Sequence, residues 1–181
     1  MGQRKQQDIP VKVVVKIIKE DGPKNLILYT KDRPLGIKDF KGRPDAASPG
    51  VGATYSGIAM AIEGRTENGV LTTTVSLTIY FDPSKSWMKK EGKEERVLAH
   101  EQNHFDLTAI KACALAQAIA RETFHAGTLK QRLFELHKEH TTALQQWQYD
   151  YDKETQHGTD AAQQAAWSSR IAQELAAATC I

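Results

Sequence analysis

The feature that most limits what this chain can fold into is a change of hydrophobic period near residue 83. Before it, Leu71, Thr73, Val75, Leu77, Ile79 and Phe81 alternate with Thr72, Thr74, Ser76, Thr78 and Tyr80. A period of two sends the first set to one face of a strand and the hydroxyl-bearing set to the other, so a half-buried strand is predicted over 69–81. After Asp82-Pro83 the period lengthens. No Pro or Gly falls between about 93 and 121, and Val97, Leu98, Phe105, Ile110, Leu115 and Ile119 recur at helical spacing. His125-Ala126-Gly127 interrupts that pattern. A second helix is predicted over about 128–149, with Leu129, Leu133, Leu136, His140, Leu144, Trp147 and Tyr151 in one stripe. Gly158 breaks the stripe. Thr159 or Asp160 then offers a cap for a third helix, whose apolar face is Trp167, Ile171 and Leu175.

Upstream of residue 83 the segments are short and rich in β-branched residues. Strands are predicted over 11–18, 26–30 and 54–63, with 32–52 as loop. Asn68-Gly69 is a strong hairpin signal before the 69–81 strand. The fold class that follows is α+β. An N-terminal antiparallel sheet (about 1–83) precedes three main helices (about 84–181) in one domain over 1–181. Hydrophobic residues make up 40% of the chain, enough for a core, and 24 basic against 22 acidic residues leave a net charge of +2. That balance suggests neither nucleic acid nor an anionic membrane as partner. No apolar run approaches the roughly 20 residues of a transmembrane segment. Residues 13–18 carry Lys16 and read as a strand, so no signal peptide is read in this chain.

His100-Glu101-Gln102-Asn103-His104 lies within the first predicted helix. Residues i and i+4 share a helix face, so both imidazoles can converge on one metal ion. One zinc per chain is the expectation. Zinc supplies the acidity that makes water a nucleophile at neutral pH, and Glu101 is placed to act as its general base. A catalytic site needs a third protein ligand and an open position. His125, His137 and His140 are poor candidates, because they fall in a distant turn, on a solvated position and in an apolar stripe. His157 lies in a turn before a flexible Gly, and such a loop can swing onto the site. Asp152, Glu154 and Asp160 are carboxylate alternatives there, and Glu135 and Glu139 are formal ones. Tyr151, or Tyr149, is a candidate oxyanion donor. Asp106 and Asp152 are candidates for holding a ligand in place, Asp152 through the His157 turn. The 69–81 strand is expected to offer an edge to a peptide. Cys113 and Cys180 form a disulfide or stand as two separate buried thiols. Closing that loop would stabilise the fold by about 4 kcal/mol in the chain-entropy model.

Several motifs together resemble the bacterial predicted secreted zinc-dependent proteases. They are Asp39-Phe40-Lys41-Gly42-Arg43-Pro44-Asp45, Ala53-Thr54-Tyr55-Ser56-Gly57-Ile58 and Phe81-Asp82-Pro83-Ser84-Lys85-Ser86-Trp87. Leu98-Ala99-His100-Glu101-Gln102-Asn103-His104-Phe105-Asp106 is similar to the family's central motif. Tyr151-Asp152-Lys153-Glu154-Thr155-Gln156-His157-Gly158 is similar to its last one. The chain departs at Leu35-Gly36-Ile37, which lacks an expected aromatic, and at Asn103. The resemblance implies a zincin-like active-site helix, His100, His104 and His157 as zinc ligands, Glu101 as base, and export to the periplasm or beyond. The function expected is hydrolysis of peptide bonds in a peptide or protein substrate. The alternative is a zinc-containing envelope or binding module with little turnover.

Overall fold

Turn chemistry and alternation build the first half of the molecule. The computed structural model describes residues 9–181. Its strands are β1 (Val11–Ile18), β2 (Ile27–Leu28), β3 (Gly52–Ala53), β4 (Ser56–Glu67), β5 (Val70–Phe81) and β6 (Trp87–Met88). Asn68 and Gly69 join β4 to β5 with φ of 50° and 77°. Both values are left-handed, as a two-residue hairpin turn of the primed type requires. Along β5, Thr73, Val75, Leu77, Ile79 and Phe81 are buried, while their alternating neighbours reach solvent.

The sheet is mixed, not purely antiparallel. β4 pairs antiparallel with β5 along its whole length, and β1 pairs with it in parallel, Val11 against Leu71 to Ile18 against Thr78. The chain leaves β1 beside Thr78 and enters β4 with Ser56 beside Phe81, at the same end of β5. The hairpin then returns β5 in the direction of β1. β2 continues the β1 side, Ile27 against Phe81. Both edges of β5 are therefore taken, which corrects the expectation that it offers one to a peptide. β3 and β6 form a separate two-stranded sheet, Gly52 against Met88 and Ala53 against Trp87.

The second half is three helices, α1 (Glu95–Arg121), α2 (Leu129–Thr155) and α3 (Ala161–Ala177). α1 is the axis of the molecule. One side touches β1, β4 and β5, and the other touches α2 and α3. Phe105 meets Tyr29 and Phe81 edge to face or tilted, with ring centroids 4.9 Å and 5.8 Å away. α2 runs on to Thr155 rather than ending near Tyr149. The polar run from Tyr149 onward contains no helix breaker, and Tyr151 and Thr155 bury on its inner side. It ends where Gln156, His157 and Gly158 take φ of 50°, 54° and 79° in succession. The Asp160 side chain then caps α3, accepting from the Ala162 and Gln163 amides. Cys113 and Cys180 form a disulfide with Cα atoms 5.7 Å apart, tying the tail of α3 to α1. Among the described residues, no helix is long and apolar enough to cross a membrane.

Candidate metal centre

His100 and His104 sit one turn apart on α1 and are both buried. α2 crosses that face with Gln148 and Asp152, also one turn apart. One Asp152 oxygen, Oδ1, lies 3.0 Å from His100 Nε2 and 3.0 Å from His104 Nε2. The extension of α2 to Thr155 is what brings Asp152 here, where the sequence predicts a turn. His100, His104 and Asp152 each offer one donor atom, and the three lie within 4.8 Å of one another.

The far side of each ring fixes its tautomer. Gln148 donates its amide to the His104 carbonyl at 2.9 Å, so its Oε1 faces the ring and accepts from His104 Nδ1. Gln164, on α3, donates to the Tyr151 and Ser168 hydroxyls at 2.7 Å and 3.1 Å. Its Oε1 lies 2.8 Å from His100 Nδ1 and accepts from it. With both Nδ1 atoms facing glutamine oxygens, both Nε2 atoms face Asp152 Oδ1, and each is a lone-pair donor when its ring is neutral. Three lone-pair donors facing one another require a cation between them, either a proton or a metal. Burial alone would lower the pKa of His104. The hydrogen bond to Asp152 and the nearby Glu101 charge outweigh burial and push it up to about 9. Burial opposes ionisation of Asp152 too, yet its two histidine partners hold its carboxyl well below the usual range. The donor set therefore fits a divalent cation, with two neutral imidazoles and one carboxylate as ligands.

Glu101 stands beside this set and is only 3% exposed. Its Oε2 is buried with no hydrogen-bond partner among the described residues. An unpaired buried carboxylate oxygen is costly and calls for a partner such as a water or an ion. The carboxylate is pressed against β3, where a Cβ on Gly52 would lie 2.7 Å from Glu101 Oε1. A side chain at position 52 would have to push the Glu101 carboxylate aside, so glycine lets the strand approach closely. Thr54 Oγ1 donates to the Glu101 carbonyl at 3.1 Å and ties the same segment to α1. A cleft of about 290 Å³ opens between this segment and the face that carries His100 and His104, lined in part by Glu101, His104, Asp152 and His157. The side of β3 away from β6 pairs with no other strand among the described residues.

The remaining predicted residues fall in different places. His157 stands at the rim, half-exposed, with Nδ1 3.5 Å from Asp152 Oδ1 and outside the three-donor set. Its left-handed backbone, anchored by its amide to the Asp152 carbonyl at 2.8 Å, turns the ring toward that carboxylate. Gly158 packs against His100, where a Cβ would come within 2.9 Å of Nδ1. Tyr151 is fully buried and stacks on the His100 ring at 4.6 Å. Asn103 donates to its hydroxyl at 3.1 Å, and burial raises its pKa well above the ordinary value. It lies outside the cleft lining. Tyr149 is 61% exposed. Asp106 points the other way, accepting from Tyr29 at 2.9 Å and from Gln102 at 2.8 Å. His137 bonds the Ile58 carbonyl at 2.7 Å, far along α2 from the site. Sequence reasoning assigned no part to Gln148 and Gln164. Gln148 is i−4 from Asp152 once the helix is known to continue, and Gln163 or Gln164 follows the Tyr151–Gly158 motif in the resemblance without a role.

The chain matches no protein-family model, and no curated protein or solved structure matches it. The family resemblance thus rests on the sequence motifs alone.

Proposed function

We propose that the chain is a zinc-dependent hydrolase of peptide bonds, with His100, His104 and Asp152 holding the ion and Glu101 acting as general base. The observation that carries this reading is the unpaired, buried Glu101 Oε2 beside three converging lone-pair donors in an open cleft. A structural zinc has no use for such a carboxylate. When bound, the ion supplies Lewis acidity toward a carbonyl and lowers the pKa of water. The chain does the rest. Glu101 takes the proton from the attacking water and delivers it to the departing amine nitrogen as the C–N bond breaks. Gln148 and Gln164 keep both imidazoles in one tautomer. The unpaired side of β3 offers backbone groups to an extended peptide. The Cys113–Cys180 disulfide supports an oxidising compartment, hence export.

The test is cleavage of a diverse peptide mixture by the zinc-loaded chain and by Glu101→Gln. We expect one zinc per chain in both proteins, with cleavage falling by at least about a hundredfold in the variant. Equal cleavage by both would end the proposed role of Glu101. A zinc closed by four protein ligands, His157 being the nearest further donor, would favour the zinc-containing binding module instead.

A further inference from the structure

The segment from Asp39 to Asp45, one of the motifs read from the sequence, lines no part of the metal cleft. Asp39 and residues 41–43 instead form one wall of a second concavity, of about 450 Å³. Residues 24–27 and Pro83-Ser84 form its other walls. Backbone contacts fix this frame. The Lys41 amide donates to the Pro83 carbonyl at 2.9 Å, and the Gly42 amide to the Ser86 carbonyl at 2.8 Å. Gly42 lies so close to that loop that a Cβ would come within 2.9 Å of the Ser84 carbonyl oxygen. Ile27 pairs with Phe81, which ties the 24–27 wall to the same end of β5.

One sign of charge prevails here. Lys24, Arg33, Lys41 and Arg43 line the concavity against a single carboxylate, Asp39. They leave +3 in one place, in a chain whose whole net charge is +2. Asp39 is already neutralised, because Arg33 binds both of its oxygens at 3.0 Å and 3.3 Å and the Gly36 amide donates to it at 2.8 Å. Lys24, Lys41 and Arg43 form no ion pair among the described residues, and the Asn25 side-chain amide makes no hydrogen bond there. Other surface arginines are matched with glutamates, Arg65 with Glu67, Arg132 with Glu122 and Arg170 with Glu174. Like charges gathered without a counter-ion repel one another, and a bound anion relieves that repulsion.

We propose that this concavity binds a compact anion of two or more charges, a phosphate group in particular, with Lys41 and Arg43 as its main partners and Lys24 and Asn25 on the facing wall. Arginine offers a planar fork of donors matched to phosphate oxygens, and lysine adds a point charge. Three uncommitted cations suit a dianion better than a single carboxylate. The concavity shares no lining residue with the metal cleft, so the proposal is independent of the hydrolytic reading.

The test is a backbone-amide NMR titration of the full chain with inorganic phosphate, near neutral pH and at low ionic strength. Saturable shifts are expected at Asn25, Gly42 and Arg43, with a dissociation constant in the millimolar range or tighter. Lys41→Gln with Arg43→Gln should weaken binding at least about tenfold. Lys12→Gln with Arg65→Gln removes the same charge at the hairpin end of the sheet, where both residues flank Thr72. That pair should weaken binding less than about twofold, because distant exposed charges are screened. All four side chains are exposed, so both variants should fold. Sedimentation with phosphatidylcholine vesicles containing phosphatidic acid separates the sources of the phosphate. Sedimentation abolished by Lys41→Gln with Arg43→Gln assigns it to a lipid headgroup, and shifts with free phosphate but no sedimentation assign it to a soluble ligand. No saturable shift at this concavity, shifts confined to the surroundings of His100 and His104, or equal losses in the two variants overturns the site.

Discussion

On the side of α1 that meets the sheet, Phe105 packs among Tyr29 and Phe81, and Ala109 and Ala112, four and seven residues on, are buried on the same face. On the side that meets α2 and α3, His100, Asn103 and His104 face Gln148, Tyr151, Asp152, Gln164 and Ser168 through hydrogen bonds. The two sides are held by different forces. Dispersion and hydrophobic burial on the first are non-directional, and loss of one methyl group is felt as volume. The network on the second is directional, and each of its members is satisfied only while the others stay in place. One helix thus separates an apolar contact with the sheet from the side that carries the candidate metal site, and variants on its two sides should fail differently.

The largest effect is expected from Phe105→Ala. It should cost about 3–5 kcal/mol in urea unfolding and leave zinc affinity per folded molecule nearly unchanged. A large loss of affinity in the folded variant would mean that the two sides are not separable. Removing the disulfide by Cys113→Ala with Cys180→Ala should cost roughly 2–4 kcal/mol. It should also weaken zinc binding modestly, because α3 carries Gln164. A stability loss with no change in zinc affinity would show that α3 docks without the crosslink. Gln164→Met keeps volume but removes the acceptor of His100 Nδ1. Zinc affinity, measured against a chelator, should drop about 10–100-fold and urea stability by less than in Phe105→Ala. An unchanged affinity would show that the His100 tautomer is held by something else.

The smallest effect concerns a residue on neither side. Burial would raise the Asp39 pKa. Arg33 at 3.0 Å and 3.3 Å and the Gly36 amide at 2.8 Å outweigh burial and hold it below the ordinary carboxylate value. A depressed folded pKa contributes stability above the unfolded value, about 3.9, and that contribution is lost as pH falls through the lower folded value. Asp39→Asn should therefore lower stability at pH 7 by no more than about 1 kcal/mol, with the gap closing below about pH 4. A gap that persists at pH 2 would assign the effect to packing.

How much of this was legible in the sequence depended on whether the cause was local. Alternation along 71–81 and the Asn68-Gly69 turn dictated the β4–β5 hairpin, and both are short-range properties. The parallel pairing of β1 was hidden, because it follows from where a long connection re-enters the sheet. His100, Glu101 and His104 were readable from spacing on one helix. Asp152 falls in α2 and not in a turn, because the polar stretch after Tyr149 looks like a helix end although Gly158 is its first glycine or proline. The sequence favoured His157 as the third donor, and the longer α2 puts Asp152 nearer instead. Gln148 and Gln164 bind across helices, and no single-segment pattern marks them. Gly52 could be recognised as a close-approach site only once Glu101 was seen against it.

The most direct measurement is zinc content by mass spectrometry after equilibration with a matched chelator, for the natural chain, Asp152→Ala and His157→Ala. We expect one zinc per chain in the natural protein and in His157→Ala, and loss of zinc from Asp152→Ala. Retention in Asp152→Ala together with loss in His157→Ala would contradict the three-donor site and move the third ligand to the rim.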